Sequence, residues 1–233
     1  LQDSRHITDN YSPVVASPSI RLMVALSLED KTRKLVQADI KTAYLNAERK
    51  DEDHPVYLYP PSDIAEYYPS HEGKIYKINS ALYGLVESAK LWHRTLMEYL
   101  NSIGFKPANT DPCVLKRDEC IIGVYVDDLL ILSKEPEKII QEISQRFSLK
   151  VLGQPKKLLG IQFNFQDDYI TLSQEEYIDD ILKTHKVTDI KDGRGSSAVP
   201  EIYDLKPNED EVRIVLPYRE VIGSLLYLAR TSR

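Results

Sequence analysis

Two aspartates stand side by side in the stretch IIGVYVDDLLILSK, residues 121–134. Asp127 and Asp128 interrupt a run of β-branched and aliphatic residues that resumes behind them. Adjacent carboxylates repel, and keeping both ionised beside buried strands costs free energy unless a positive group lies between them. The plain alternative is a solvated turn, where Asp is common. A third aspartate shifts the balance: Asp39 stands in QADIKTAY, at the end of another apolar stretch. Three carboxylates from two strand ends can hold a pair of hard divalent cations. Mg2+ suits such a site, because it takes oxygen ligands and leaves room for phosphate oxygens. Two ions about 4 Å apart can activate an attacking hydroxyl and neutralise a leaving pyrophosphate. Positioning and charge neutralisation then do most of the work.

Such a site needs strands that end at these residues. Residues 121–134 read as strand, tight acidic turn and strand, and Leu35, Val36 and Ile40 mark a short strand whose end carries Asp39. Ser17 as N-cap and Pro18 at the first helical position open a helix with Leu22, Met23 and Leu26 on one face. KIYKI, residues 74–78, alternates as a strand, whereas 47–75 is irregular. Ala89, Trp92, Leu96, Tyr99 or Leu100, and Ile103 repeat at helical spacing, and Gly104 stops that helix. Pro136 starts another, with Ile139, Ile140, Ile143 and Phe147 on its apolar face. A hairpin turning at 166–168 follows, then a capping box of Ser173 and Glu176 ahead of a helix. Residues 191–201 read as a linker, and a last helix covers roughly 218–230. The interleaving predicts an α+β fold, with a sheet covered by helices on one face.

Bulk properties narrow the classes. The chain has 233 residues, 42% hydrophobic and 28% charged, as in soluble globular domains. Its apolar runs fall short of the roughly 20 residues that span a bilayer, and no basic-then-apolar leader is visible, so neither membrane nor secretion is expected. Cys113 and Cys120 are too few for a disulfide framework, and five scattered histidines show no metal-binding spacing. The net charge of −6 weighs against nucleic acid as a partner.

The segments IRLMVALS, ADIKTAYLNAE, KINSALYGLVESAKLW, GFKPANTDPCV, YVDDLLI, LGIQF, ITLSQEEYI and YREVIGSLLYLAR occur in order along nearly the whole chain. Together they resemble the reverse transcriptase of copia-type LTR retrotransposons. The resemblance implies a right-hand polymerase fold with an antiparallel palm sheet backed by helices. Palm would be 36–46 and 88–165, fingers 1–35 and 47–87, and thumb 166–233. It implies Asp39, Asp127 and Asp128 as catalytic metal ligands, with the Ile40 carbonyl as a further ligand, for two Mg2+ ions that Mn2+ can replace. Ala43, Tyr44, Tyr83 and Gly84 would meet the nucleotide, Tyr44 excluding a 2′-hydroxyl. Tyr125, Val126, Leu159, Gly160 and Ile161 would contact the primer. Implied partners are an RNA or DNA template-primer, deoxynucleoside triphosphates, and the upstream fingers, integrase and RNase H regions of one polyprotein. A cytoplasmic particle or the nucleus is the implied location.

The sequence departs from the family pattern in LYGLVESAK, where Val86 replaces a lysine, Glu87 a neutral residue and Ala89 a proline. A lost cation and a gained acid are expected to weaken phosphate binding near the template. The family's basic fingers segment is expected to precede residue 1. Two other readings compete: a co-opted copy that binds nucleic acid or protein without synthesis, and a Mg2+-dependent phosphohydrolase. The last would need a further His, Lys or Ser beside the aspartates, and none is evident in the sequence.

Overall fold

The computed structural model describes residues 10–50, 55–61, 63–185 and 217–232. The expected linker at 191–201 lies outside the described residues. The chain divides into two compact units, Leu1–Pro155 and Lys156–Arg233.

The first unit opens with helix α1 (Ser17–Glu29). Ala16, not Ser17, is its N-cap, and the Ser17 hydroxyl is buried without a partner. The carboxylate of Asp111 does the capping instead, accepting from the Ala16 amide at 2.9 Å and the Ser19 hydroxyl at 2.6 Å. The helix buries Ile20, Met23 and Val24 and turns Leu22 outward, 60% exposed, so its inner face is rotated from the expected one. Strand β1 (Lys34–Ile40) follows, then β2 (Tyr57–Leu58), the short helix α2 (Ile64–Tyr67) and β3 (Tyr76–Lys77). Only the centre of the expected 74–78 strand pairs, against β2.

Helix α3 (Ser88–Ser102) buries Leu91, Trp92, Leu96 and Leu100 and ends before Gly104, whose φ of +94° favours glycine. Strands β4 (Lys106–Pro107), β5 (Val114–Arg117), β6 (Cys120–Tyr125) and β7 (Asp128–Ser133) come next. Helix α4 (Pro136–Ser144) and strand β8 (Leu149–Gly153) complete the unit. Six strands form one antiparallel sheet in the order β4-β5-β6-β7-β1-β8.

Burial explains the apolar run around the aspartates. Every residue of β6 except Tyr125 is buried, and every residue of β7 except Asp128. Successive side chains point to opposite faces, so these central strands are covered on both faces, not on one as expected. Each such buried aliphatic side chain contributes about 1.5–3 kcal/mol. Trp92 and Tyr99 of α3 meet Phe147 edge-on at 5.3 and 5.2 Å, beside Ile139 and Ile143 of α4 in the core. Cys113 and Cys120 are free and buried there, and burial pushes their thiols up to about 12 and about 11, which leaves them inert.

The second unit holds β9 (Lys157–Leu158), β10 (Ile161–Phe165) and β11 (Ile170–Ser173) in the order β11-β10-β9, with helices α5 (Glu175–Thr184) and α6 (Tyr218–Ser232). The β10–β11 hairpin turns where expected, closed by Gln166 N–H donating to the Tyr169 carbonyl at 2.9 Å. The capping box does not form. Gln174 is the N-cap of α5, and the Glu176 amide donates to Gln162 Oε1 of β10 at 3.1 Å. Among the described residues no helix is long and apolar enough to cross a membrane.

Candidate active site

Backbone pairing brings two of the three aspartates together. In the β1–β7 ladder Asp39 lies directly opposite Asp128, and in the β6–β7 ladder Asp128 lies opposite Tyr125. Directly opposed residues share a face with Cβ atoms about 5 Å apart. Asp127 occupies the two-residue loop between β6 and β7, where its carbonyl accepts from the Ile40 amide at 2.8 Å. The pair ladder is thus extended one step into the turn, and it ties the loop to the end of β1. The Ile40 side chain is buried, so what it offers to this site is its backbone.

The turn itself is strained. Val126 takes φ +54°, a region that two-residue hairpin turns demand but β-branched residues rarely enter. Its carbonyl accepts from the Trp92 indole N–H at 2.7 Å, which anchors the turn to α3. Asp128 feels its surroundings. Burial raises its carboxyl above the ordinary range, the neighbouring charges of Asp127 and Asp39 raise it further, and a hydrogen bond from Gln37 opposes both. Gln37 Nε2 donates to Asp128 Oδ1 at 2.9 Å, from a side chain only 5% exposed.

Tyr44 and Ala43 lie in a single helical turn, Ala43–Asn46, just past β1. The Tyr44 and Tyr83 rings approach to 4.6 Å. Burial pushes the Tyr44 phenol up, and Tyr83, Asp127 and Tyr125 push the same way, so these four residues are neighbours. Gly84 has φ +96° with open space where a side chain would be, so its glycine answers a backbone need. In the second unit Leu159 and Gly160 form the turn between β9 and β10, both at positive φ, with Ile161 buried behind. The Tyr227 hydroxyl of α6 donates to the Leu159 carbonyl and fixes that turn.

Three partners were not legible in the sequence reading. Lys150 of β8 lies opposite Asp39 on its other side, so one row across the sheet reads Tyr125, Asp128, Asp39, Lys150. This supplies a lysine beside the aspartates after all, exposed to solvent. Gln37 could have been found as a polar residue two positions before Asp39, hence on its face of the strand. Glu87, expected to repel phosphate, forms an ion pair with Arg49 whose side chains are only 15% and 5% exposed. The acid is therefore spent on a buried cation.

Among the described residues no three His, Cys, Asp or Glu side chains form a ready-made metal cage. That does not disqualify the site for Mg2+, which is ordinarily held by one or two carboxylates together with substrate phosphates.

The comparisons converge. A model of the family described as Reverse transcriptase (RNA-dependent DNA polymerase) matches residues 2–197. The Retrovirus-related Pol polyprotein from transposon RE1 of Arabidopsis thaliana is 32% identical over 96% of this chain. That from transposon TNT 1-94 of Nicotiana tabacum is 28% identical over 96%, and the Transposon Ty1-H Gag-Pol polyprotein of Saccharomyces cerevisiae 29% over 97%. The chain spans only 15%, 18% and 13% of these relatives' lengths. It belongs to the reverse transcriptase family, on the branch carried by copia-type retrotransposon Pol polyproteins.

Proposed function

We propose that the chain is the polymerase core of a retrotransposon polyprotein, an RNA-directed and DNA-directed DNA polymerase that adds deoxynucleotides to a primer 3′-hydroxyl. One observation carries this reading: the register that sets Asp39 opposite Asp128, with Asp127 in the adjoining turn. In a right-hand arrangement residues 36–46 and 88–165 are palm, 1–35 and 47–87 fingers, and 166–233 the start of the thumb.

Asp39, Asp127, Asp128 and the Ile40 carbonyl hold two Mg2+ ions, or Mn2+ in their place. The donors fit, being hard oxygens, and the crowding of negative charge on Asp128 is what a cation would relieve. Bound divalent ions supply activation of the attacking hydroxyl and charge neutralisation of the leaving pyrophosphate. The chain's own residues orient the reactants. Tyr44, braced by Tyr83, forms the floor beneath the incoming sugar and excludes a 2′-hydroxyl. Ala43 and Gly84 let the nucleotide approach the backbone closely. Lys150 places a positive charge beside Asp39, where it attracts the triphosphate. Tyr125 and Val126 pack beside the primer terminus, which Leu159, Gly160 and Ile161 grip. Template-primer, deoxynucleoside triphosphates and the fingers, integrase and RNase H regions of the same polyprotein are the partners, in a cytoplasmic particle or the nucleus.

Primer extension on an RNA template tests this, with the chain joined to an upstream fingers segment and beside an Asp127→Asn, Asp128→Asn control. Incorporation by the first alone is the expected result. A folded protein that incorporates nothing favours the second reading, a binder without synthesis, to which Val86 in place of a lysine points.

A further inference from the structure

Next to the row that holds the aspartates, the adjoining row on the same sheet face reads Gly123, Leu130, Gln37, Gly153. Glycine stands at both ends, so Leu130 and Gln37 supply its side chains. Leu35 and Leu132 pair in the row beyond, both buried. A leucine at position 37 would suit this apolar floor. Glutamine brings an amide instead, and at 5% exposure an amide must be hydrogen-bonded to be tolerated. Its Nε2 reaches diagonally across one row and donates to Asp128 Oδ1 at 2.9 Å, a span open to long side chains.

The β1–β8 ladder makes room for this reach. Gln37 pairs with Gly153 and Ala38 with Val151, so a bulge leaves Leu152 as the extra residue. In an unbroken ladder Leu152 would stand beside Gln37. The bulge puts a glycine there and still keeps Lys150 on the rung of Asp39. Bulges recur next to active sites for such adjustments. The hydrogen bond supplies what an aspartate lacks by itself. Its terminal torsion is broad and roughly two-fold, so the side chain alone does not fix the carboxylate plane. One N–H on Oδ1 fixes it and leaves Oδ2 unclaimed by Gln37. The donor is also neutral: a lysine there would repel a cation, and a glutamate would repel Asp128.

We propose that Gln37 is a positioning residue of the polymerase site, its amide holding Oδ1 of Asp128 so that Oδ2 is presented to a divalent cation. The inference rests on the polymerase reading for that cation. Removing the group that orients a metal-binding carboxylate typically costs about 10–100-fold in metal affinity or activity. The test uses the chain joined to its upstream fingers segment. Binding is read from the electron paramagnetic resonance signal of free Mn2+, folding from melts, and turnover from primer extension. Gln37→Met keeps the length and removes the donor; Gln37→Asn keeps an amide that stops one carbon short. Each should melt cooperatively, raise the Mn2+ dissociation constant about tenfold or more, and lower kcat with little change in the KM for template-primer. A purely structural hydrogen bond would change Tm and leave the Mn2+ affinity as it was. Folded variants that bind Mn2+ as the wild type does overturn the proposal. So does failure of both variants to fold, which would make the amide a requirement of the fold. Unchanged Mn2+ binding with primer extension intact removes Gln37 from the site and leaves the polymerase reading standing. Mn2+ affinity lost in the methionine variant, beside a wild type that extends nothing, keeps Gln37 as the orienting group and removes the polymerase reading.

Discussion

Replacing Trp92 by phenylalanine tests how the turn that carries Asp127 is held. Trp92 is 1% exposed, and its indole N–H donates to the carbonyl of Val126, the residue at φ +54°. Phenylalanine keeps the edge-on contact with Phe147 but deletes the donor and two carbons. The carbons amount to about 1.5 kcal/mol. The hydrogen bond adds about 1 kcal/mol, a low value because Val126 is half-exposed and water can reach its carbonyl. A loss of about 2.5 kcal/mol should lower Tm by roughly 5–10 °C in a unit of this size. A double-mutant cycle isolates the turn. Glycine at position 126 adopts positive φ without the roughly 1–2 kcal/mol that an L side chain spends there, so the anchor has less to hold. Calorimetry on Trp92→Phe, Val126→Gly and the double variant should give a coupling near 1 kcal/mol. Additivity within about 0.3 kcal/mol would falsify the claim that the indole stabilises the strained turn.

Other expectations follow from single observations. The Asp128 carboxyl is raised above its ordinary 3.8, mainly by burial; it holds its proton more tightly folded than unfolded, so stability falls as pH climbs from 3.8 through the folded value. Asp128→Asn should therefore raise Tm at pH 7, with the gain vanishing below pH 3.8 in a pH series of melts. Mg2+ should raise the Tm of the wild type by mass action and leave Asp39→Asn, Asp128→Asn unmoved; an equal shift in both would place the ion elsewhere. Glu87→Gln should destabilise the fold in denaturant unfolding by about 2 kcal/mol, because the largely buried Arg49 charge loses an opposite charge beside it, and Arg49→Gln added to it should recover part of that loss. Gly123→Ala puts a methyl 3.1 Å from Met23 Sδ and should destabilise by about 1 kcal/mol, relieved when Met23 is shortened to Leu.

Local pattern carried much of the fold. The β6–β7 hairpin and the stop of α3 at Gly104 follow from spacing over fewer than twenty residues and appear where expected; α4 buries Ile139 and Ile143 as expected, but Ile140 is only half-buried and the helix ends at Ser144, before Phe147. What spacing could not supply was contact over long separation. The α1 cap comes from Asp111, so Ser17 lost that place to a carboxylate on another element. The capping box at Ser173 lost to Gln162, which β10 brings to the same helix end. Lys150 and Glu87 gained meaning only through partners at Asp39 and Arg49, because register and ion pairing belong to the tertiary structure. The three aspartates were visible as types; that Asp39 and Asp128 share a rung depended on which strands became neighbours.

A hydrogen-bonded ladder offers only whole-rung settings. Because Asp39 and Asp128 share a rung, the pairing of their backbones is all or none: it is right, or it is off by a full residue with the side chain flipped to the far face. An insertion or deletion within β1 or β7 that reseats the two strands by one position would thus abolish the arrangement outright. Lengthening of the irregular stretch after Ala47, which lies outside that ladder, would leave it untouched.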